Sequence, residues 1–189
     1  MQRYLILLFL IVSGSAGLRA QTWVSITAPR GNFSFSFPAA TTPLDTLGLL
    51  SYNYVLPTDS TICFQVHFMD SVPISANPDL QAMLDTSSTL NTGDTVGEVL
   101  NVYAQLFQQF TGGNIEGFTD TTYYSKIRGE DLTILHPDLS GDSTQYFAFT
   151  RYFYYNSKFL AFTLTGPQPK LSVLNGYKNQ LFASIGISW

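Results

Sequence analysis

The sequence predicts an α+β domain with a central, mostly antiparallel β-sheet and helices on both faces, an αβα sandwich, and three observations lead there. Short segments alternate between aromatic and small polar residues, as Phe33, Phe35 and Phe37 do with Ser34 and Ser36, the two-residue period of a strand with one packed face. Two other segments repeat apolar residues at helical spacing. Finally, Gln145–Tyr155 carries large rings on both sides, Phe147, Phe149, Phe153 and Tyr155 on one and Tyr146, Tyr152 and Tyr154 on the other, which a strand does when both of its faces are covered.

The first twenty residues stand apart from that domain. Arg3 is followed by an apolar run from Tyr4 to Val12 and by the small-residue segment Ser13–Gly17, the layout of a secretory signal. The run is too short for a spanning helix, which needs roughly 20 apolar residues. Cleavage after Ala20, with a cut after Ala16 as the alternative, leaves one domain over residues 21–189. No cysteine lies near either site to take a lipid anchor, and no later segment looks membrane-spanning, so an exported protein, periplasmic or extracellular, is expected.

Along the mature part, Pro29-Arg30-Gly31-Asn32 marks a turn before the Phe33–Phe37 strand, which Pro38 ends. A Thr/Pro/Ala loop runs to about Thr46. Strands over Leu49–Leu56 and Thr61–Met69 form a hairpin across Pro57-Thr58-Asp59-Ser60, residue types that suit a tight turn. Asn77 before Pro78 suits a helix start, with Leu80, Met83 and Leu84 giving a short amphipathic piece. The longest helix begins at the capping box Thr95-x-x-Glu98 and carries Val96, Val99, Leu100, Tyr103, Leu106, Phe107 and Phe110 on one side; Gly112-Gly113 ends it as a left-handed cap. Strands follow near Phe118–Lys126, Asp131–His136, Gln145–Tyr155 and Lys158–Thr165, with turns at Asp138–Asp142 and at Asn156-Ser157. A last helix spans Pro169–Phe182, with Leu171, Leu174, Leu181 and Phe182 on its apolar side, and a short tail reaches Trp189.

Charge excludes some functions. Without Arg3 and Arg19, seven basic residues face thirteen acidic ones, a net charge of −6. The seven are scattered, with only Lys126 and Arg128 near each other, whereas nucleic acid demands clustered Lys and Arg. Cys63 is the sole cysteine, so no intrachain disulfide forms, and its place in an apolar strand predicts a buried, inert thiol.

Gly141-Asp142-Ser143 is similar to a lipase-like nucleophile block, but that arrangement needs a later histidine and both histidines, His67 and His136, come earlier. Cys63 and His67 share a strand face ~13 Å apart at ~3.3 Å per residue, too far to hold one ion. His67 is read as a sheet histidine and His136 as a strand-end residue. Asp138 and Asp142 flank a turn without the alternating ligands of a calcium loop. Glu130 and Asp131, being adjacent on a strand, point to opposite faces and cannot form a glycosidase pair. Phosphate-loop and dinucleotide fingerprints are absent. No catalytic, cofactor or metal residue is therefore assigned. Arg151, a charge in a row with Phe147, Phe149 and Phe153, is the ligand-pocket candidate; it sits at the sheet margin, pairs with an acid, or lines a pocket.

The order of features resembles the PsbP-like group of small exported domains. Trp23 lies near the mature start, Gly31-Asn32-Phe33-Ser34-Phe35-Ser36-Phe37-Pro38 joins a turn glycine to an aromatic strand closed by proline, and a hairpin, a helix, several strands and a terminal helix ending Leu181-Phe182-Ala183-Ser184-Ile185 follow. The resemblance covers nearly all of residues 21–189. It implies an αβα sandwich around an antiparallel sheet, and a role in binding without catalysis, as in the photosystem accessory proteins and the nuclear transport GTPase partner of that group. It carries over no functional residue. The segment Thr86–Thr95 is longer than usual and the basic N-terminal docking segment of the photosystem members is not evident, which disfavours a photosynthetic role.

The expected function is that of an exported, non-catalytic binding or accessory protein that engages another envelope or secreted protein, with no cofactor. The alternative is a carrier of a small apolar or aromatic ligand, suggested by 15 Phe, 11 Tyr and 2 Trp and by Arg151. An enzyme of unrecognised type is the third reading.

Overall fold

The computed structural model describes residues 22–46, 48–70, 94–137 and 143–189. The signal segment, the helix expected from Asn77, and the Asp138–Asp142 turn lie outside the described residues. Within them the chain runs β1 (Val24–Thr27), β2 (Phe33–Phe37), β3 (Leu44–Thr46), β4 (Leu49–Val55), β5 (Cys63–Met69), α1 (Thr95–Thr111), β6 (Asn114–Tyr123), β7 (Ile127–Pro137), β8 (Gln145–Tyr155), β9 (Lys158–Pro167), α2 (Leu171–Ala183) and β10 (Gly186–Ile187). The architecture is α+β and mostly antiparallel sheet.

Seven strands form one antiparallel sheet in the order β3-β4-β5-β9-β8-β7-β6. The expected single sheet is corrected by a second, three-stranded one, β1-β2-β10, in which β2 is central. Two of the unanticipated strands, β3 and β10, are three and two residues long, too short to show alternation. They form because a longer neighbour presents an open edge, β4 to Leu44–Thr46 and β2 to Gly186–Ile187.

Alternation along β8 divides the apolar interior in two. Phe149 and Phe153 join Phe33, Phe35 and Phe37 of β2, Phe64 and Phe68 of β5, Phe162 of β9, and Leu174 and Leu181 of α2. The intervening Ala148, Tyr152 and Tyr154 join Val99, Leu100, Val102 and Ala104 of α1, with Leu132 and Ile134 of β7. The small sheet and α2 thus pack with one set of β8 side chains and α1 with the other. Rings interlock in the first cluster, with Phe35 edge-on to Phe37 at 4.8 Å and to Tyr52 at 5.0 Å, geometries that aromatic quadrupoles favour.

The helix ends show how local chemistry sets the boundaries. The N-cap of α1 is Asp94, whose carboxylate accepts from the Gly97 N–H, so the cap lies one residue before the predicted Thr95. Aspartate wins the position because Arg128 of β7 holds the same carboxylate, Nη1 lying 2.5 Å from Oδ1, which ties the helix start to the sheet. Gly112 closes α1 in the left-handed region at φ 64, as the glycine pair predicted. A single 3-10 turn, Gln168–Lys170, leads into α2, whose buried residues are Leu174 and Leu181.

Candidate functional site

Arg151 sits near the middle of β8, between β7 and β9 and away from either edge of the sheet. Antiparallel register places it directly opposite Asp131 of β7. The guanidinium donates from Nε to Oδ1 at 2.6 Å and from Nη2 to Oδ2 at 2.7 Å, the bidentate match of a planar fork to a carboxylate. Its Cζ lies 4.6 Å from the centre of the Phe182 ring on α2, a cation–π distance. Of the three sequence-based placements, two hold together: Arg151 is paired with an acid and lines a cleft. That cleft, about 380 Å³, opens between the β7–β8 surface and the end of α2, and Phe149, Lys178, Asn179 and Phe182 complete its wall. Lys178 Nζ lies 4.8 Å over the Phe149 ring.

Glu130, next in sequence to Asp131, points the opposite way, as the strand period requires. It is buried against α1 and accepts a hydrogen bond from Tyr152 at 2.5 Å. Burial raises its carboxyl to about 7, with Asp120 adding to the rise while the Tyr152 hydrogen bond and the nearby Arg128 oppose it. Burial also pushes the Tyr152 phenol well up.

Beneath α1 lies a small, largely apolar cavity of about 140 Å³ that sequence reasoning did not locate. Its walls are rings: Tyr103 and Phe107 of α1, Tyr152 of β8 and Phe159 of β9. Tyr103 stacks on Phe159 at 4.0 Å, and burial raises its hydroxyl to about 12. The polar part of the lining consists of Thr150 and Thr163, whose hydroxyls are 3.1 Å apart, and His67. His67 is the expected sheet histidine: its Nδ1 meets the Ser51 hydroxyl at 3.1 Å and burial lowers its pKa, which keeps the ring neutral. The only advance signal was ring content on residues whose faces could not be assigned before the register was known.

The remaining sequence candidates fall apart in space. His67 on β5 and His136 on β7 are separated by β9 and β8, three strand spacings or ~14 Å, so no single ion joins them. His136 ends its strand with Nδ1 2.8 Å from the Pro137 carbonyl. Cys63 is half-buried where full burial was expected, because it begins β5 close to its end, and burial raises its thiol pKa.

No family model and no curated protein matches the sequence. Among solved structures, the chain is similar to the cyanobacterial PsbP protein, CyanoP, of Synechocystis, with a TM-score of 0.57 over 92% of this chain and 96% of that one, at 10% sequence identity. The fold is PsbP-like. Fold does not carry function by itself. Weaker similarities are to LpqN of Mycobacterium tuberculosis, a protein involved in cell envelope biogenesis (TM-score 0.44, 8% identity, 92% and 88% of the two chains), and to PA94 of Pseudomonas aeruginosa, a protein of unknown function (TM-score 0.42, 10% identity, 84% and 92%). Neither of these two bears on the argument. No helix among the described residues is long and apolar enough to cross a membrane.

Proposed function

We propose that this protein is an exported, non-catalytic accessory module, an αβα sandwich that engages another envelope or secreted protein by accepting one of its strands on β6. The carrying observation is β6 itself. It is ten residues long, terminates the large sheet, and has no partner strand on its outer side among the described residues. Natural edges are usually short, charged or covered. This one is rich in threonine and presents Ile115 and Phe118, both substantially exposed, on the face that also bears α1, whose Phe110 is 80% exposed. An added strand would gain main-chain hydrogen bonds along β6 and side-chain contacts to those apolar residues. Glu116, at the irregularity between Ile115 and Gly117, limits pairing at one end and would set the register. Replacing Phe118 with aspartate tests the reading: the variant should fold and lose a partner that the parent retains in its native envelope, and an unchanged complex would contradict it.

The ring-lined cavity beneath α1 favours a second reading, a carrier of a small aromatic ligand. Its volume is close to that of an engineered apolar cavity of about 150 Å³ that takes benzene. Indole or phenol raising the melting temperature of the parent protein but not of a Thr163→Phe variant would support this; equal effects on both would sink it.

A further inference from the structure

Two hairpins of the large sheet turn on a pair of residues with positive φ: Tyr124 (49°) and Ser125 (56°) in the three-residue connection between β6 and β7, where the Lys126 N–H donates to the Tyr123 carbonyl, and Asn156 (48°) and Ser157 (63°) in the two-residue connection between β8 and β9. Such turns suit the twist of the strands and select Asn, Asp or Gly, which tolerate the left-handed backbone. Asn156 follows the rule. Tyr124 breaks it with one of the bulkiest side chains, and the ring gains no burial in return, remaining 79% exposed. A bulky residue held in that region persists where its side chain has a use.

The ring stands over two adjoining clefts. The larger, about 480 Å³, separates the hairpin tip from the small sheet, and the smaller, about 270 Å³, extends past Lys126 to Tyr155 and Trp189; Tyr123, Tyr124 and Ile187 line both. The larger volume lies within the range of a small-molecule site, roughly 300–1,000 Å³. One wall is aromatic: Tyr123 and Tyr124 meet edge to face at 4.5 Å, and Tyr155 lies nearly parallel to Trp189 at 6.4 Å. The Trp189 indole N–H is engaged by the Gly31 carbonyl, which fixes the ring. The facing wall of the larger cleft carries Thr27, Asn32, Ser34 and Ser188, and no Asp, Glu, Lys, Arg or His lines it.

We propose that this cleft binds a neutral oligosaccharide. A pyranose ring has apolar C–H faces and hydroxylated edges. Tyr124 and the Tyr155–Trp189 pair offer flat apolar surfaces for the faces, and the hydroxyl and amide side chains opposite offer donors and acceptors for the edges. An anionic polymer would find Lys126 at the margin of the smaller cleft, Lys158 already seated 5.8 Å over the Trp189 ring, and no charge in the larger cleft. An acyl chain would bury hydroxyls against hydrocarbon, at a cost in lost hydrogen bonds. The site meets β6 only at its last residue, Tyr123, and does not depend on a strand-adding partner.

The test is calorimetric titration of the purified protein with chitohexaose, cellohexaose and maltohexaose to about 5 mM, past the weak end of specific affinity. The key variant is Tyr124→Asn, which installs the residue that the turn prefers. It should be at least as stable as the parent and yet bind about tenfold or more weakly, a combination that a purely structural role for Tyr124 does not produce. Trp189→Ala should weaken binding as well, with Trp23→Phe as the control that leaves it intact. The proposal is overturned if none of the three sugars saturates a site, if Tyr124→Asn binds as the parent does, or if a proline-rich peptide fills the cleft in their place.

Discussion

The Tyr152 hydroxyl lies 2.5 Å from Glu130 Oε2 and 3.1 Å from the Leu100 carbonyl oxygen of α1. A phenol has one proton, so it cannot donate to both. With Glu130 protonated, the carboxyl donates to the phenol oxygen and the phenol donates to Leu100, and every group is satisfied. With Glu130 ionised, the phenol proton goes to the carboxylate and the link to α1 is lost.

Burial of the Glu130 carboxyl makes stability fall as pH rises from about 4.3 to about 7. Glu130 holds its proton to about 7 in the folded chain, whereas an unfolded glutamate releases it near ~4.3. Between those values the folded state binds the extra proton, so its advantage is complete below the unfolded value and disappears as pH passes the folded one. Denaturant titration from pH 4 to 8 should show a loss of a few kcal/mol, on the order of the shift at 1.36 kcal/mol per unit. Glu130→Gln should flatten that loss; an unchanged slope would show that Glu130 is not its source.

Asp131→Ala should leave the Arg151 fork without its carboxylate. Both partners are partly exposed, so the cost is modest, about 1 kcal/mol, and the Phe182 contact should keep the arginine in the cleft. Chemical denaturation measures this. A loss several times larger would place the pair in a drier setting than its exposure indicates.

Tyr52→Phe should stabilise the protein. The Tyr52 ring is 1% exposed and its hydroxyl has no hydrogen-bond partner among the described residues. Removing a buried unsatisfied group recovers its desolvation cost, roughly 1–3 kcal/mol, and a shift of the thermal midpoint upward is the expected result. A downward shift would mean that the hydroxyl is bonded after all.

Gly129→Ala should destabilise by roughly 1–3 kcal/mol or more, as overpacking does. A methyl there would meet the Tyr152 carbonyl oxygen at 2.3 Å and the Phe153 ring at 2.5 Å. Tolerance of alanine would contradict the close β7–β8 approach at that point.

Much of this architecture can be read from the sequence because long strands and long helices repeat their pattern. The Phe33–Phe37 alternation, the two-faced Gln145–Tyr155 strand and the Gly112 helix stop all correspond to observed features. What is illegible depends on register. Arg151 was conspicuous among its rings, but its partner Asp131 emerges only when β7 and β8 are aligned. The positive φ of Tyr124 is likewise invisible in Tyr123-Tyr124-Ser125-Lys126, which carries no glycine or asparagine to announce the turn. Two- and three-residue strands such as β10 and β3 are set by the neighbour they pair with.

The claim that β6 receives a protein partner is tested most directly by placing a photo-crosslinking amino acid at position 118 on β6 and, as a control, at the exposed position 173 on α2, then irradiating the protein in its native envelope. The account predicts one defined protein adduct from position 118, reduced when Asp120 and Thr122, whose N–H groups face away from β7, are replaced by proline, and none from position 173. No adduct from position 118, or the same adducts from both positions, would contradict it.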